Sequence, residues 1–324
     1  MHKSMYNQFL RDKFKLKGNI KKGFIKEGYL INEKDKIKIK NYIPRFVDEN
    51  YCESFSLQWN KFKDLQLDSK NGYNHSMDRI KKCTKWNLKD LKGKSLLECG
   101  CGPGRFTEIF LKAGAKVVAV DMSSAVDANL ENNGMRKNLL LIQGDIINLP
   151  FLHNKFDYVF CYGVIQHTPN PRNTFDSLVR YLKKGGKISI DNYRRVYLPT
   201  GWSTPKYLWR PITKRMNKEK LLKFIECYIP KYIDFDTKIR KIPKIGIILT
   251  GIIPVPCWNY LKKGYTRKER IEHAIMDTFD ALSPTYDKPK TAEMVRRWFI
   301  KNNHLNNIEV FTGFNGIIGN AMKK

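Results

Sequence analysis

Glu98, Gly100, Gly102 and Gly104 stand in one short run, Leu-Leu-Glu-Cys-Gly-Cys-Gly-Pro-Gly at 96–104. An apolar run that ends in a carboxylate and then breaks into alternating glycines reads as a buried strand delivering its backbone to a ligand. Backbone without Cβ atoms admits close approach, next to the N–H groups at the start of the helix that follows. A dinucleotide motif, G-x-G-x-x-G, would need its third glycine where Arg105 stands, so that ligand class is excluded. A carboxylate at the strand tip repels a pyrophosphate and attracts an ammonium or a sulfonium, so the ligand is expected to be cationic at that end. Asp121 follows Glu98 by 23 positions. A doubly wound fold places there the acid that accepts two ribose hydroxyls; a helix cap formed with Ser123 is the alternative.

Such residues need a sheet to hold them at one edge. Apolar runs at 116–120, Leu139–Gln143, Phe156–Cys161 and 187–190 read as strands following the first. Phe106, Ile109, Phe110 and Ala113 form a helical stripe from 105 onward, and Phe175, Leu178, Val179 and Leu182 form another before a Gly185-Gly186 turn. Alternation of strand and helix over this length predicts a parallel sheet covered on both faces. Residues 291–302 read as a last helix with Met294, Val295, Trp298 and Phe299 inward, before strands at 308–311 and 317–322. Near the start, 28–31, the turn-like 32–35 and the alternating 37–40 suggest a small hairpin.

The pattern acid-x-Gly-x-Gly-x-Gly resembles the first motif of the class I S-adenosylmethionine-dependent methyltransferases, and the next hundred residues continue the match in order. The bacterial methyltransferase-11-like group is the part of the family it resembles. The resemblance implies an α/β, Rossmann-like sheet, mostly parallel with an antiparallel last strand, and S-adenosyl-L-methionine as cofactor. Glu98, Gly100, Gly102, Gly104, Asp121, Met122, Asp145, Ile146, Cys161 and Gln166 would bind it. Asp145 would receive the adenine amino group and Ile146 pack on the ring, unless Asp145 only closes an Asx turn. The stretch 162–169 would be the rim where methyl group meets acceptor, with Tyr162 touching substrate. His167 there is the candidate base, or else a structural hydrogen-bonder. Residues 43–47 resemble the tail of a zinc-ribbon-like module whose cysteines are missing here, so no metal is expected. The segments 53–59 and 66–68 resemble the leader of the same group, and Phe55, Trp59 and Phe62 share a helical face read as core packing. Asp277, Asp280 and Tyr286 fall in another segment of that resemblance, read as a turn able to bind sugar hydroxyls.

These readings divide the chain into a small basic appendage (1–50), a cofactor-binding core (51–192), a basic helical insertion after the fifth strand (193–288) and the closing helix and strands (289–324). The insertion would overhang the strand ends and recognise the acceptor. From 193 to 270 it carries 19 Lys or Arg against 5 Asp or Glu, within a chain of net charge +29. Such a balance points to a polyanionic partner, or to composition bias spread over solvated faces. Its least polar stretch, 245–253, is too short to span a bilayer; burial against neighbouring helices is the first expectation and contact with a membrane surface the alternative. Seven cysteines without a C-x-x-C pair, no apolar leader in 1–17 and no long apolar run give the expectation of a cytoplasmic protein, with peripheral contact at the inner membrane face. The expected reaction is O-methylation of a sugar or other small phosphorylated or lipid-linked acceptor in bacterial surface glycan synthesis. The alternatives are methylation of RNA and cofactor binding without catalysis.

Overall fold

In the computed structural model, residues 2–10, 14–47, 52–196, 203–261, 264–314 and 316–324 are described. The chain divides into two compact units, one made of Met1–Asn50, Gln66–Arg194 and Tyr286–Lys324, the other of Tyr51–Leu65 and Arg195–Thr285.

The first unit is built on one sheet. Its strands are β1 (Lys15–Lys21), β2 (Phe24–Ile31), β3 (Lys36–Lys40), β4 (Ile43–Arg45), β5 (Ser95–Cys99), β6 (Lys116–Asp121), β7 (Leu139–Gln143), β8 (Phe156–Cys161), β9 (Leu182–Tyr193), β10 (Leu305–Gly313) and β11 (Gly316–Lys323). They lie in the order β1-β2-β3-β4-β7-β6-β5-β8-β9-β11-β10. The run from β7 to β9 is parallel, and β11 enters antiparallel between β9 and β10. This is the Rossmann-like, class I arrangement. Every residue of β5 and β7 is buried, as strands covered on both faces require. Period two sorts their side chains: Leu97, Val118 and Val159 enter one apolar core while Leu96, Val117 and Phe160 enter the other. The chain turns one way from β5 to β6 and the other way to β8, so the carboxyl ends of β5 and β8 flank the switch point, the place where open sheets of this kind bind ligands.

Residues 1–50 were expected as an appendage, and they differ. The hairpin forms, with Asn32 Oδ1 accepting the N–H groups of Lys34 and Asp35 at 2.8 and 2.6 Å. It continues through β4, which pairs in parallel with β7 at Arg45 and Gln143, so the strands extend the main sheet. An ion pair from Arg45 to Asp127 at 2.6 Å fixes that join. Gly185 and Gly186 lie inside β9 rather than in a turn before it: Leu182 pairs with Phe156 and Lys187 with Tyr158, leaving a bulge where the glycines sit. The helix after the glycine run begins at Thr107 rather than Arg105. In the helix Ala292–Ile300, Val295, Trp298 and Phe299 are buried as expected, but Met294 is exposed.

The second unit is helical, with helices Glu53–Lys61, Ser203–Thr213, Lys218–Arg240, Gly246–Ile252 and Arg267–Leu282. Residues 51–65 belong to it, although the sequence places them with the cofactor-binding core. Its centre joins Leu222, Ile225, Ile229 and Ile233 of the long helix to Ala274 and Phe279 of the last. Thr266 and Glu269 close a capping box at the start of that last helix. Phe55 and Trp59 are only half-buried; the fully buried positions of their helix are Ser54, Ser56 and Gln58. The stretch 245–253, expected to bury its side chains, instead exposes Ile245, Ile248 and Ile252.

Candidate active site

Glu98 is the next-to-last residue of β5 and is 1 % exposed. Its Oε2 accepts from Thr107 Oγ1 at 2.6 Å, and that hydroxyl in turn accepts from Asn129 Nδ2 at 3.0 Å. Its Oε1 has no hydrogen-bond partner among the described residues. Burial pushes the carboxyl up to about 8; the Thr107 hydrogen bond holds it back and the charge of Asp121 adds to the rise. A buried acid with one bare oxygen is a costly arrangement that an arriving ammonium group would relieve, by donating to Oε1 and favouring the ionised form.

The glycine run is held by its neighbours as much as it is open to a ligand. Gly100 has φ +75°, and a Cβ there would lie 2.0 Å from Cγ2 of Val164, in the loop after β8. Gly104 has φ +91°, and its Cβ would meet Asn133 Nδ2 at 2.3 Å. These two glycines therefore let the loops after β5 and β8 and the helix Ala125–Asn133 close on one another. Gly102 donates its N–H to Asp121 Oδ2 at 2.9 Å.

Asp121 sits at the carboxyl end of β6. Its Oδ1 accepts from the N–H and Oγ of Ser123 at 2.9 and 2.6 Å, which sets the turn before a helix whose N-cap is Ser124. Asp121 is thus tied to both the turn and the glycine loop, and it is not itself the cap. Asp145 closes an Asx turn, its Oδ1 accepting Ile147 N–H at 2.9 Å. Ile146 is buried in the apolar core, as is Cys161, whose thiol is pushed up by burial. The Met122 carbonyl accepts from Gln143 Nε2 at 3.0 Å.

The loop after β8 carries Gln166 and His167, both buried. The side-chain amide of Gln166 has no partner for either polar atom among the described residues. His167 Nδ1 lies 2.9 Å from the Tyr286 carbonyl. A carbonyl only accepts, so Nδ1 carries the proton and a neutral ring keeps its lone pair on Nε2. The edge of the ring meets Tyr193 at 5.4 Å. Tyr162, expected to touch substrate, is instead a packing residue: it is buried, stacks on Phe160 at 4.2 Å, and its hydroxyl is bonded to Ser189 Oγ at 2.7 Å.

Sequence reasoning missed the end of β9. Asp191 is buried there, ion-paired with the buried Arg79 and accepting Gly163 N–H at 2.5 Å. The Arg79 guanidinium lies 5.3 Å from the Tyr162 ring centre. Asn192, fully buried, has no partner for its side-chain amide among the described residues. The signal was present, because Asp191-Asn192 stands near the carboxyl end of its strand as Glu98 and Asp121 do in theirs. Glu98, Gln166 and Asn192 thus put unmatched buried polar atoms at the carboxyl side of three adjacent strands, which marks a polar ligand site. Asp277 and Asp280 belong to the second unit, on the helix Arg267–Leu282 and not on a turn, and Asp277 accepts the hydroxyl of Tyr260.

A family profile described as "Methyltransferase domain" matches residues 97–190. The chain is 32% identical over 107 residues to the ubiquinone biosynthesis O-methyltransferase of Coxiella burnetii, covering 32% of this chain and 46% of that protein. It is 31% identical over 136 residues to the tRNA U34 carboxymethyltransferase of Aliarcobacter butzleri, covering 41% of this chain and 43% of that one. The solved N-methyltransferase NodS of Bradyrhizobium japonicum, in complex with S-adenosyl-L-homocysteine, matches at 17% identity and a TM-score of 0.35, over 44% of this chain and 74% of that one. The chain spans about half the length of the curated relatives it matches. The matched stretch runs from the strand that bears Glu98 into β9 and contains the glycine run, Asp121, Gln166 and His167. Over these residues the chain carries a methyltransferase domain.

Proposed function

We propose that the protein transfers a methyl group from S-adenosylmethionine to a hydroxyl of a small acceptor. The observation that carries this reading is the bare Oε1 of Glu98, a buried acid at the switch point whose carboxyl is held in the neutral range until a cation meets it. When bound, the cofactor supplies a methyl group on a positively charged sulfur. Glu98 would hold its ammonium, Asp121 its ribose hydroxyls and Asp145 the adenine amino group. His167 Nε2 would accept the proton of the attacking hydroxyl as the new carbon–oxygen bond forms and the carbon–sulfur bond breaks. Most of the acceleration would come from positioning in a site kept from water.

A phosphorylated or lipid-linked sugar, as used in building surface glycans, is the acceptor class we favour. Its support is the charge of residues 193–270, since phosphates give clustered Lys and Arg a partner. Asp277 and Asp280 lie on a helix, so the turn of acids expected to bind sugar hydroxyls gives it no support. Methylation of RNA is the second reading, and the net charge of +29 is what favours it. Incubating the full chain with methyl-labelled cofactor and fractionated lysate separates the two. The expected result is label in a nuclease-resistant glycan or glycolipid fraction. Label that nuclease releases would transfer the reading to RNA, and no label anywhere beside intact cofactor affinity would make the protein a binder only.

A further inference from the structure

The helix Ser203–Thr213 is folded the opposite way round from an ordinary surface helix. Among its described residues, Lys206, Arg210 and Thr213 are buried together with Pro205. Arg210 donates to the carbonyls of Ala281 and Pro284 at 2.9 and 2.8 Å, and Thr213 Oγ1 to that of Leu282 at 2.9 Å. The polar face thus serves the carbonyl end of the helix Arg267–Leu282, where a cation is favoured. The apolar face is left outward: Leu208 is 57% and Ile212 59% exposed, with Tyr207 and Trp209 beside them.

The helix Gly246–Ile252 packs next to it within the same unit. Trp209 Nε1 donates to the Pro254 carbonyl at 2.5 Å and ties the two together. This second helix adds Ile248, 60% exposed, and Ile252, 70% exposed, with Ile245 just before it. Lys214, Arg215, Lys241 and Lys244 are exposed along the same segments. Neither 203–218 nor 237–258 contains an Asp or Glu.

We infer that this face docks on the surface of an anionic phospholipid bilayer. Branched aliphatic side chains gain from leaving water for the acyl boundary, while lysines and arginines at their flanks meet the lipid phosphates. Trp and Tyr beside them suit the headgroup level, where an apolar ring and a polar edge are both satisfied. A nucleic acid would use the charges and leave the five aliphatic side chains in water, so charge and apolarity together select a membrane. Among the described residues no helix is long and apolar enough to cross one, so the attachment is interfacial.

Co-sedimentation of the full chain with vesicles tests this inference independently of any acceptor. The protein should sediment with vesicles containing phosphatidylglycerol and far less with phosphatidylcholine alone, at physiological salt. Ile212→Glu combined with Ile248→Glu should lower the partition at least tenfold, because a charge replaces an inserted aliphatic group in each helix. Lys241→Glu combined with Lys244→Glu should lower it severalfold for the anionic vesicles only. These side chains are exposed, so thermal midpoints should stay near that of the parent protein and keep the comparison free of unfolding. No sedimentation with anionic vesicles, or unchanged sedimentation of the Ile212→Glu, Ile248→Glu protein, would overturn the inference. So would a dimer in size-exclusion chromatography that the same two substitutions dissociate, since a second copy would then cover the face.

Discussion

Replacing His167 by Ala is expected to lower the methylation rate by about 10²–10⁴-fold, the usual worth of a positioned general base, while leaving affinity for adenosylhomocysteine within about twofold. The structure gives His167 a second task, because its Nδ1 also holds the Tyr286 carbonyl. An Ala variant loses both. His167→Asn separates them, since the amide nitrogen of Asn can still donate toward that carbonyl but offers no base. The Asn variant should stay as slow as the Ala variant and show no loss of rate at acidic pH beyond that of the acceptor itself. Recovery of turnover by Asn would reduce His167 to a positioning residue.

The second large effect concerns stability. Arg79 and Asp191 pair across 112 residues of sequence and both are buried. Arg79→Ala leaves the Asp191 charge, among the described residues, with only the Gly163 N–H, and should cost about 3–5 kcal/mol, read from the urea midpoint. Replacing both partners, Arg79→Met with Asp191→Asn, should recover more than half of that loss, because the Asn oxygen can still accept from Gly163 and no bare charge remains. If the double variant were as unstable as the single one, packing of the guanidinium on Tyr162 and Phe106 would be the larger contribution.

Much of the sheet could be read from the sequence because its strands are short apolar runs punctuated by glycine and acid. The boundaries at Leu139–Gln143 and Phe156–Cys161 match the structure, and those at 116–120 differ by the one residue, Asp121, that carries the chemistry. What could not be read depends on partners far apart in the chain. The join of β4 to β7 is made by the parallel pairing of Arg45 with Gln143, by hydrogen bonds from Arg45 and Phe46 to Gln143 and by the Arg45 to Asp127 ion pair, none of which leaves a local pattern. Arg79 looks like any helical arginine until Asp191 is placed beside it. The helix Ser203–Thr213 shows a further limit: periodicity identifies an apolar face but does not say which face points inward. Here the carbonyls at the end of a neighbouring helix took Arg210, and the aliphatic side chains were left outside. Asp277 and Asp280 were misplaced for a local reason, since the capping box at Thr266 starts a helix that runs past both of them.

In the candidate site, Glu98 and the glycine run were legible, whereas the bare amides of Gln166 and Asn192 were not recognisable as such, because being unpartnered is a property of the fold and not of residue type.

Isothermal titration of the full chain with adenosylhomocysteine tests the cofactor site most directly. Because the Glu98 carboxyl is raised to about 8, it is mostly protonated near neutral pH, and an ammonium that favours its charged form must drive that proton off. Saturable binding is predicted, with a proton released to the buffer and affinity that rises as pH increases toward 8. Glu98→Gln, which keeps the shape but offers no charge, should bind roughly 100-fold more weakly and release no proton, as expected for losing one buried charge-assisted hydrogen bond. No binding by the parent protein, or equal binding by the Gln variant, would contradict the assignment.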